Sequence, residues 1–139
     1  MKTSNNLSNL VEIIRRKYKV CAIILFGSRA RGDWGPWSDY DVLIIGNFHE
    51  PYIERIKNIL ESISDLKIPI EPHPYTFEEA RRMLLKGNPI IVDALEEGII
   101  LFKTDKFEKI TKLYELLKKK GMKRTNVTII VPRDIDNLL

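Results

Sequence analysis

The chain has little of what marks secreted or membrane-spanning proteins. It contains one cysteine, Cys21, which lies in an apolar run and is therefore predicted to be a buried thiol. The longest unbroken apolar run, residues 20–26, is far shorter than the roughly 20 residues that cross a bilayer. No apolar segment follows the single lysine near the N-terminus, so we expect no signal peptide. These absences favour the cytoplasm, which is a reducing compartment.

The size and charge of the chain are those of one ordinary globular domain. It has 139 residues, of which 44% are hydrophobic and 30% are charged. The net charge of +4 is mild, and the basic residues cluster in three short groups, at 15–17, 81–82 and 118–124. Two of these groups are polar faces of amphipathic patterns, and the third ends a predicted helix, where cations suit the dipole. The charge is therefore weak evidence for an anionic partner, and we expect no nucleic-acid or membrane partner.

Hydrophobic periodicity predicts a chain in which helices and strands alternate. Apolar residues at helical spacing predict helices near residues 4–18, 53–63, 77–84, 89–97 and 110–120. Short apolar runs predict strands near 20–26, 41–45, 68–73 and 99–102, and a further strand could occupy 127–131. Thr76 with Glu79 has the pattern of a capping box, and Asn88-Pro89 is a good helix start.

A glycine–serine pair comes directly after the first predicted strand. Gly27 lets the backbone turn sharply and approach a ligand closely, and Ser28 opens a helix whose N-terminus attracts phosphate. Arg29 and Arg31 are placed to add positive charge beside it. A glycine–serine pair alone is usually no more than a helix start, so the prediction of a phosphate site depends on the residues at the start of the next strand.

Two carboxylates, Asp39 and Asp41, stand at the start of the second predicted strand, and ten residues (29–38) separate Ser28 from Asp39. They are two residues apart, so on a strand both side chains project from the same face of the sheet. The repulsion between the two carboxylates favours a bound cation. Oxygen ligands suit Mg²⁺ or Mn²⁺. If this pair and the Gly27 turn contact one ligand, the two strands must run antiparallel with a short helical turn between them. Neither G-x-G-x-x-G nor a Walker A motif occurs in the chain, which also disfavours a Rossmann crossover.

A third carboxylate is expected on a neighbouring strand, and Glu71 is the best candidate. Its neighbours Ile68 and Ile70 would face the core, which turns Glu71 towards the aspartate pair. The alternative is an exposed glutamate without a role. His73 shares the parity of Glu71, but we interpret it as a solvent-facing loop histidine, as we do His49.

The run Gly27-Ser28, ten residues, then Asp39-x-Asp41 resembles the minimal nucleotidyltransferases of the DNA polymerase β superfamily. The resemblance extends from the first helix to Phe102, and it implies an α/β nucleotidyltransferase fold (α+β type) with a mixed sheet of about four strands flanked by helices. It implies a nucleotidyltransferase domain over residues 1–121, followed by an extension, 122–139, that could add a strand.

The same resemblance implies the roles of the site residues. Asp39 and Asp41 would bind two Mg²⁺ ions, or Mn²⁺, and Glu71 would complete a catalytic and metal-binding triad. The nucleotide-binding residues would be Gly27, Ser28, Arg29 and Arg31. The third carboxylate of this family is usually aspartate, so the longer Glu71 is a departure that could change the metal geometry or weaken the site.

The implied reaction is transfer of a nucleotide, with AMP from ATP favoured, to a partner protein. Many similar proteins are antitoxins that adenylylate a helical HEPN toxin on tyrosine, and this is the favoured hypothesis. The alternatives are an NTP-binding or toxin-neutralising module with little catalysis, and transfer to a small molecule such as an aminoglycoside. The oligomeric state is left open, and a homo-oligomer is compatible with the sequence.

Two tryptophans, Trp34 and Trp37, lie between the glycine turn and the aspartate pair. Large apolar rings beside a charged pocket are typical of a binding surface. Either one of them packs on the domain's own helices, or at least one contacts the acceptor or covers the nucleotide.

Overall fold

The computed structural model describes residues 2–124 and 129–132 of the chain. The helices in this part are α1 (Lys2–Lys17), α2 (Ser28–Arg31), α3 (Tyr52–Ser62), α4 (Phe77–Leu85), α5 (Pro89–Glu97) and α6 (Glu108–Lys119), the last preceded by a 3₁₀ turn at Asp105–Phe107. The strands are β1 (Val20–Phe26), β2 (Tyr40–Gly46), β3 (Ile70–Tyr75), β4 (Ile99–Lys103), β5 (Lys123–Arg124) and β6 (Ile129–Ile130). None of these helices combines the length and apolar character needed to cross a membrane.

The central sheet has four strands in the order β3-β2-β1-β4. β1 runs antiparallel to both β2 and β4, and β2 runs parallel to β3, so the sheet is mixed. The antiparallel arrangement of β1 and β2, joined by the short helix α2, confirms the prediction made from the two motifs. The α/β architecture with helices flanking a mixed sheet is also confirmed.

The two faces of the sheet carry separate apolar cores. The face that includes Leu43 and Ile45 packs against α4, α5 and α6. The opposite face, which includes Val42 and Ile44, packs against α1 and α3. Because β1 and β2 are covered on both faces, they need apolar side chains at nearly every position, and this is why they appear as continuous apolar runs.

Strand β3 lies at one edge of the sheet and contains two prolines, Pro72 and Pro74. The Tyr40 N–H donates to the Pro69 carbonyl at 2.8 Å. This bond fixes the hydrogen-bond pattern between the two strands, in which every second residue of β3 directs its N–H group towards β2. The prolines occupy the other positions, where a missing N–H removes no ladder bond. The strand therefore continues to Tyr75, beyond its predicted end at residue 73.

The side of helix α3 that faces the core contains Ile59 but also a charged residue, Arg55. Ile53 is 75% exposed, whereas Arg55 is buried on the inner side of the helix. The Arg55 Nε donates to the Glu50 carbonyl at 2.8 Å, and its Nη1 pairs with Glu79 Oε1 at 2.6 Å. A buried cation is tolerated here because its donors meet oxygen acceptors from both sides.

The boundaries of the helices agree with the predicted ones. Thr76 and Glu79 form the capping box, and Asn88 caps α5, which begins at Pro89. After α6 the chain forms a two-stranded ribbon from β5 and β6, and the side chains of Ile129 and Val131 pack against the core beside α4 and α5. The strand predicted at 127–131 corresponds to β6, but residues 127 and 128 lie outside the described residues.

Candidate functional site

A glycine with a positive φ joins β1 to α2. Gly27 has φ 75° and ψ −160°, a backbone conformation that is essentially reserved for glycine. Its carbonyl accepts the N–H groups of Ala30 and Arg31, which starts α2 at Ser28. A Cβ atom at Gly27 would lie 2.6 Å from Asp41 Oδ2. The turn and the Asp41 carboxylate are therefore in immediate contact, which the two sequence motifs require if they serve one ligand.

Asp41 and Glu71 meet because of the strand register. Asp41 is paired with Phe26 on β1 and with Glu71 on β3, so the end of β1 and the starts of β2 and β3 converge there. One ligand atom each from Asp41, Glu71 and His73 lie within 4.8 Å of one another. These three residues form a group that could hold a metal ion, and we call it the Asp41–Glu71–His73 cluster.

Asp39 lies beside this cluster and is not one of its members. It precedes β2 by one residue and its side chain is exposed. Its charge is close enough to raise the pKa of Glu71. The structure thus brings the two predicted metal ligands Asp41 and Glu71 together, with Asp39 at the solvent side.

The cluster accumulates negative charge that its own residues do not balance. Burial and the neighbouring Asp41 carboxylate raise the pKa of Glu71 above its ordinary value, while His73 acts in the opposite direction. Two carboxylates that share a site favour a proton or a cation between them. The donor set and its electrostatics therefore fit a divalent metal ion.

The interpretation of His73 as a solvent-facing loop histidine is wrong. His73 lies within β3, its side chain is only 14% exposed, and its Nε2 is 3.1 Å from Asp41 Oδ1. Its ring packs edge-on against Phe26 with the ring centroids 5.1 Å apart. His73 is the last residue of the predicted strand 68–73, and the parity that it shares with Glu71 was the feature that could have identified its orientation. His49, by contrast, is exposed in an irregular segment, as predicted.

The two predicted nucleotide-binding arginines have partners within the protein. The Arg29 Nε donates to the Ser38 carbonyl at 3.1 Å, and its guanidinium stacks on Tyr40 at 4.4 Å and on Trp34 at 4.2 Å. Arg29 therefore braces the loop between the two motifs. Arg31 forms exposed ion pairs with Asp33 and Glu97, and these carboxylates offset its charge.

Both tryptophans of the connecting loop are exposed. Trp37 is 90% exposed and Trp34 is 53% exposed, with one side of the Trp34 ring resting on Arg29 of α2. Neither ring is part of the core. They form an apolar surface on the loop that joins the glycine turn to Asp41.

Comparison with known sequences identifies the family. The sequence profile described as "Nucleotidyltransferase domain" matches residues 7–114 of this chain. A protein of Methanocaldococcus jannaschii named "Putative protein adenylyltransferase MJ0604" is 38% identical over 55 residues, a match that covers 38% of this chain and 55% of that protein. The match therefore spans about half the length of this relative.

Two crystal structures of toxin–antitoxin systems contain chains with a similar fold. The chain from a mutant of the MntA-HpeT toxin–antitoxin is 14% identical, with 81% of this chain and 90% of that chain covered and a TM-score of 0.51. The chain from a toxin–antitoxin with AMP-PNP is 16% identical, with the same coverage and a TM-score of 0.51. At such low identity the similarity concerns the fold, and it agrees with the mixed four-stranded sheet described above.

Proposed function

Because the chain belongs to the nucleotidyltransferase domain family, we propose that it transfers a nucleoside monophosphate from an NTP, with ATP favoured, to a hydroxyl group of a partner protein. The observation that carries this proposal is the contact between the two motifs. The Gly27 turn, which is suited to phosphate, lies against Asp41, and Asp41 lies within the Asp41–Glu71–His73 cluster. A triphosphate and a metal ion would therefore share one site.

We assign the metal-binding role to Asp39, Asp41 and Glu71, with two divalent ions, Mg²⁺ or Mn²⁺, as the family resemblance implies. Divalent ions at such a site supply positive charge that stabilises the attacking and leaving oxygens of the displacement. The raised pKa of Glu71 supports the assignment, because a cation would relieve the electrostatic conflict that raises it.

The other residues bind and orient the reactants. The backbone of the Gly27 turn and the Ser28 hydroxyl would bind the phosphates, with Arg29 and Arg31 adding positive charge. The acceptor oxygen then forms a bond to the α-phosphorus while the bond from that phosphorus to the α,β-bridging oxygen breaks. Pyrophosphate leaves with the electron pair. Glu71 would orient the acceptor hydroxyl and take its proton.

We propose a helical HEPN-type toxin as the acceptor, modified on a tyrosine. Three observations support this choice: the name of the Methanocaldococcus relative, the toxin–antitoxin structures of similar fold, and the exposed Trp34 and Trp37 beside the site. Such a reaction needs ATP, which agrees with a cytoplasmic location. In this proposal residues 1–121 form the transferase domain, and residues 122–139 are an extension of it.

A second candidate is a module that binds NTP or neutralises the toxin with little transfer. It is favoured by Glu71, which stands where aspartate is usual, and by the contact of His73 with Asp41. Incubation with α-labelled ATP, a divalent metal and the protein encoded by the adjacent gene separates the candidates. Label on the partner, located by mass spectrometry, supports transfer. A parallel incubation replaces the partner protein by an aminoglycoside. Nucleotide binding without label on either acceptor would refute transfer and favour the binding module.

A matched pair of variants makes this assay specific for the site. Asp41→Asn removes a cluster residue, whereas Asp105→Asn changes an exposed aspartate next to the C-terminal end of β4, at the opposite end of the sheet. Transfer should be lost in the first variant and retained in the second. Equal loss in both would mean that the assay reports general damage and not the site.

A further inference from the structure

A histidine within the cluster changes the chemistry of the metal site. One ligand atom each from Asp41, Glu71 and His73 lie within 4.8 Å of one another, and His73 Nε2 is 3.1 Å from Asp41 Oδ1. Neighbouring ligands on one ion at metal–ligand distances of about 2.1 Å are about 3 Å apart. The nitrogen of His73 and the oxygen of Asp41 are thus already spaced as two ligands of a single ion.

The ring of His73 is held in this orientation by its surroundings. Its position on β3 is two pairs beyond Glu71 in the register with β2, so both side chains leave the same face, and Phe26 packs against it from β1. Its side chain is only 14% exposed. The imidazole is therefore directed at Asp41 by the strand and by an aromatic contact, whereas an exposed histidine would sample many rotamers.

The two oxygens of Asp41 face different partners. Oδ1 lies towards His73, and Oδ2 lies towards the Gly27 turn, where a Cβ atom added at Gly27 would lie 2.6 Å from it. An ion between Asp41, Glu71 and His73 would therefore use the side of Asp41 away from the glycine turn.

We propose that His73 is a metal ligand, and that the Asp41–Glu71–His73 cluster selects Mn²⁺ or another first-row transition ion over Mg²⁺. Imidazole nitrogen suits transition metals, whereas Mg²⁺ prefers an all-oxygen octahedral shell and gives up its waters reluctantly. This inference rests on the proposed function only in its choice of the same site. The competing role for His73 is a positioning one, in which it donates a hydrogen bond to Asp41 and never contacts the ion.

Metal binding to the full chain, without nucleotide or acceptor, distinguishes the two roles. Calorimetric titration should show that the protein binds Mn²⁺ at least about tenfold more tightly than Mg²⁺, since imidazole nitrogen is a better ligand for a transition ion than for Mg²⁺. His73→Ala should lower the affinity for Mn²⁺ about tenfold or more and leave the affinity for Mg²⁺ within about twofold. His49→Ala changes the other histidine of the chain, which is exposed, and should alter neither affinity.

A spectroscopic measurement tests direct contact. Pulsed electron paramagnetic resonance of the Mn²⁺-loaded protein should detect hyperfine coupling to an imidazole nitrogen, which should persist in His49→Ala and disappear in His73→Ala. His73→Gln keeps a polar side chain of similar size, so it should fold, as measured by circular dichroism, and should also lose the coupling. Absence of the coupling in the unmodified protein, or unchanged Mn²⁺ affinity in His73→Gln, would overturn the proposal. Failure of nucleotidyl transfer with the coupling present would instead refute the proposed function and leave the metal assignment standing.

Discussion

Replacing Gly27 by alanine tests whether the glycine turn and the Asp41 carboxylate form one unit. The backbone conformation of Gly27, φ 75° and ψ −160°, is one in which any other residue costs on the order of 1–3 kcal/mol. A second cost arises because the new Cβ would lie 2.6 Å from Asp41 Oδ2, so the carboxylate must move. Together we expect the free energy of unfolding to fall by roughly 2–5 kcal/mol.

Gly32→Ala is the matched control for this change. Gly32 also has a positive φ, 90°, but among the described residues no atom lies within 4 Å of its Cβ position. Its substitution should cost about 1–2 kcal/mol through the backbone alone. The excess cost of Gly27→Ala over this control, measured by urea denaturation, combines the contact with Asp41 and the less favourable backbone conformation of Gly27.

Two further measurements make the test decisive. In an Asp41→Ala background the cost of Gly27→Ala should fall to its backbone part, because the displaced carboxylate is no longer there. Gly27→Ala should also weaken Mn²⁺ binding in calorimetry, whereas Gly32→Ala should not. Equal urea midpoints and equal metal affinities for the two glycine variants would refute the reasoning.

Four shorter predictions concern the site and the loop beside it. Asp41→Asn should abolish transfer from α-labelled ATP, because it removes a carboxylate ligand of the metal. The circular dichroism should stay unchanged, because the change also relieves the repulsion between neighbouring carboxylates; retained transfer would contradict the prediction. Glu71→Gln should reduce transfer strongly with NTP binding partly retained, and Glu71→Asp should keep or improve transfer. If transfer is indifferent to both changes, Glu71 is not part of the site. Ser28→Ala should weaken ATP binding by about 1.5–3 kcal/mol in calorimetry, and an unchanged Kd would remove the hydroxyl from the phosphate site. Trp37→Ala should weaken acceptor binding by about 2 kcal/mol without changing the Tm, because its ring is 90% exposed; a lower Tm with intact binding would refute an interface role.

The central strands and the arrangement of the two motifs were predictable because the relevant constraints are local. β1 occupies the predicted residues 20–26, since a strand covered on both faces must be apolar throughout. The antiparallel pairing of β1 and β2 followed from requiring the Gly27 turn and Asp41 to meet. Both conclusions needed only a short window of sequence and one geometric argument.

The parts that the sequence did not predict depend on contacts between distant segments. His73 stands at the end of the predicted strand 68–73, and its orientation towards the site depends on Asp41 of β2 and Phe26 of β1. The inward orientation of Arg55 depends on Glu79, which is far away in the chain. Glu97, one of the two partners of Arg31, likewise comes from a distant segment. No local pattern encodes such pairings.

The prolines of β3 also limit how this protein can associate with other chains. A sheet grows by pairing the free N–H and C=O groups of its edge strand with an incoming strand, and this is a common beginning of aggregation. On the outer side of β3, Pro72 and Pro74 have no N–H groups to donate, and the Pro74 carbonyl already accepts from Arg55 Nη1 at 3.3 Å. An incoming strand would leave its own acceptors unsatisfied there. Sheet extension at β3, directly beside Glu71 and His73, is thus disfavoured, and this edge should resist the strand-to-strand polymerisation that would bury the cluster.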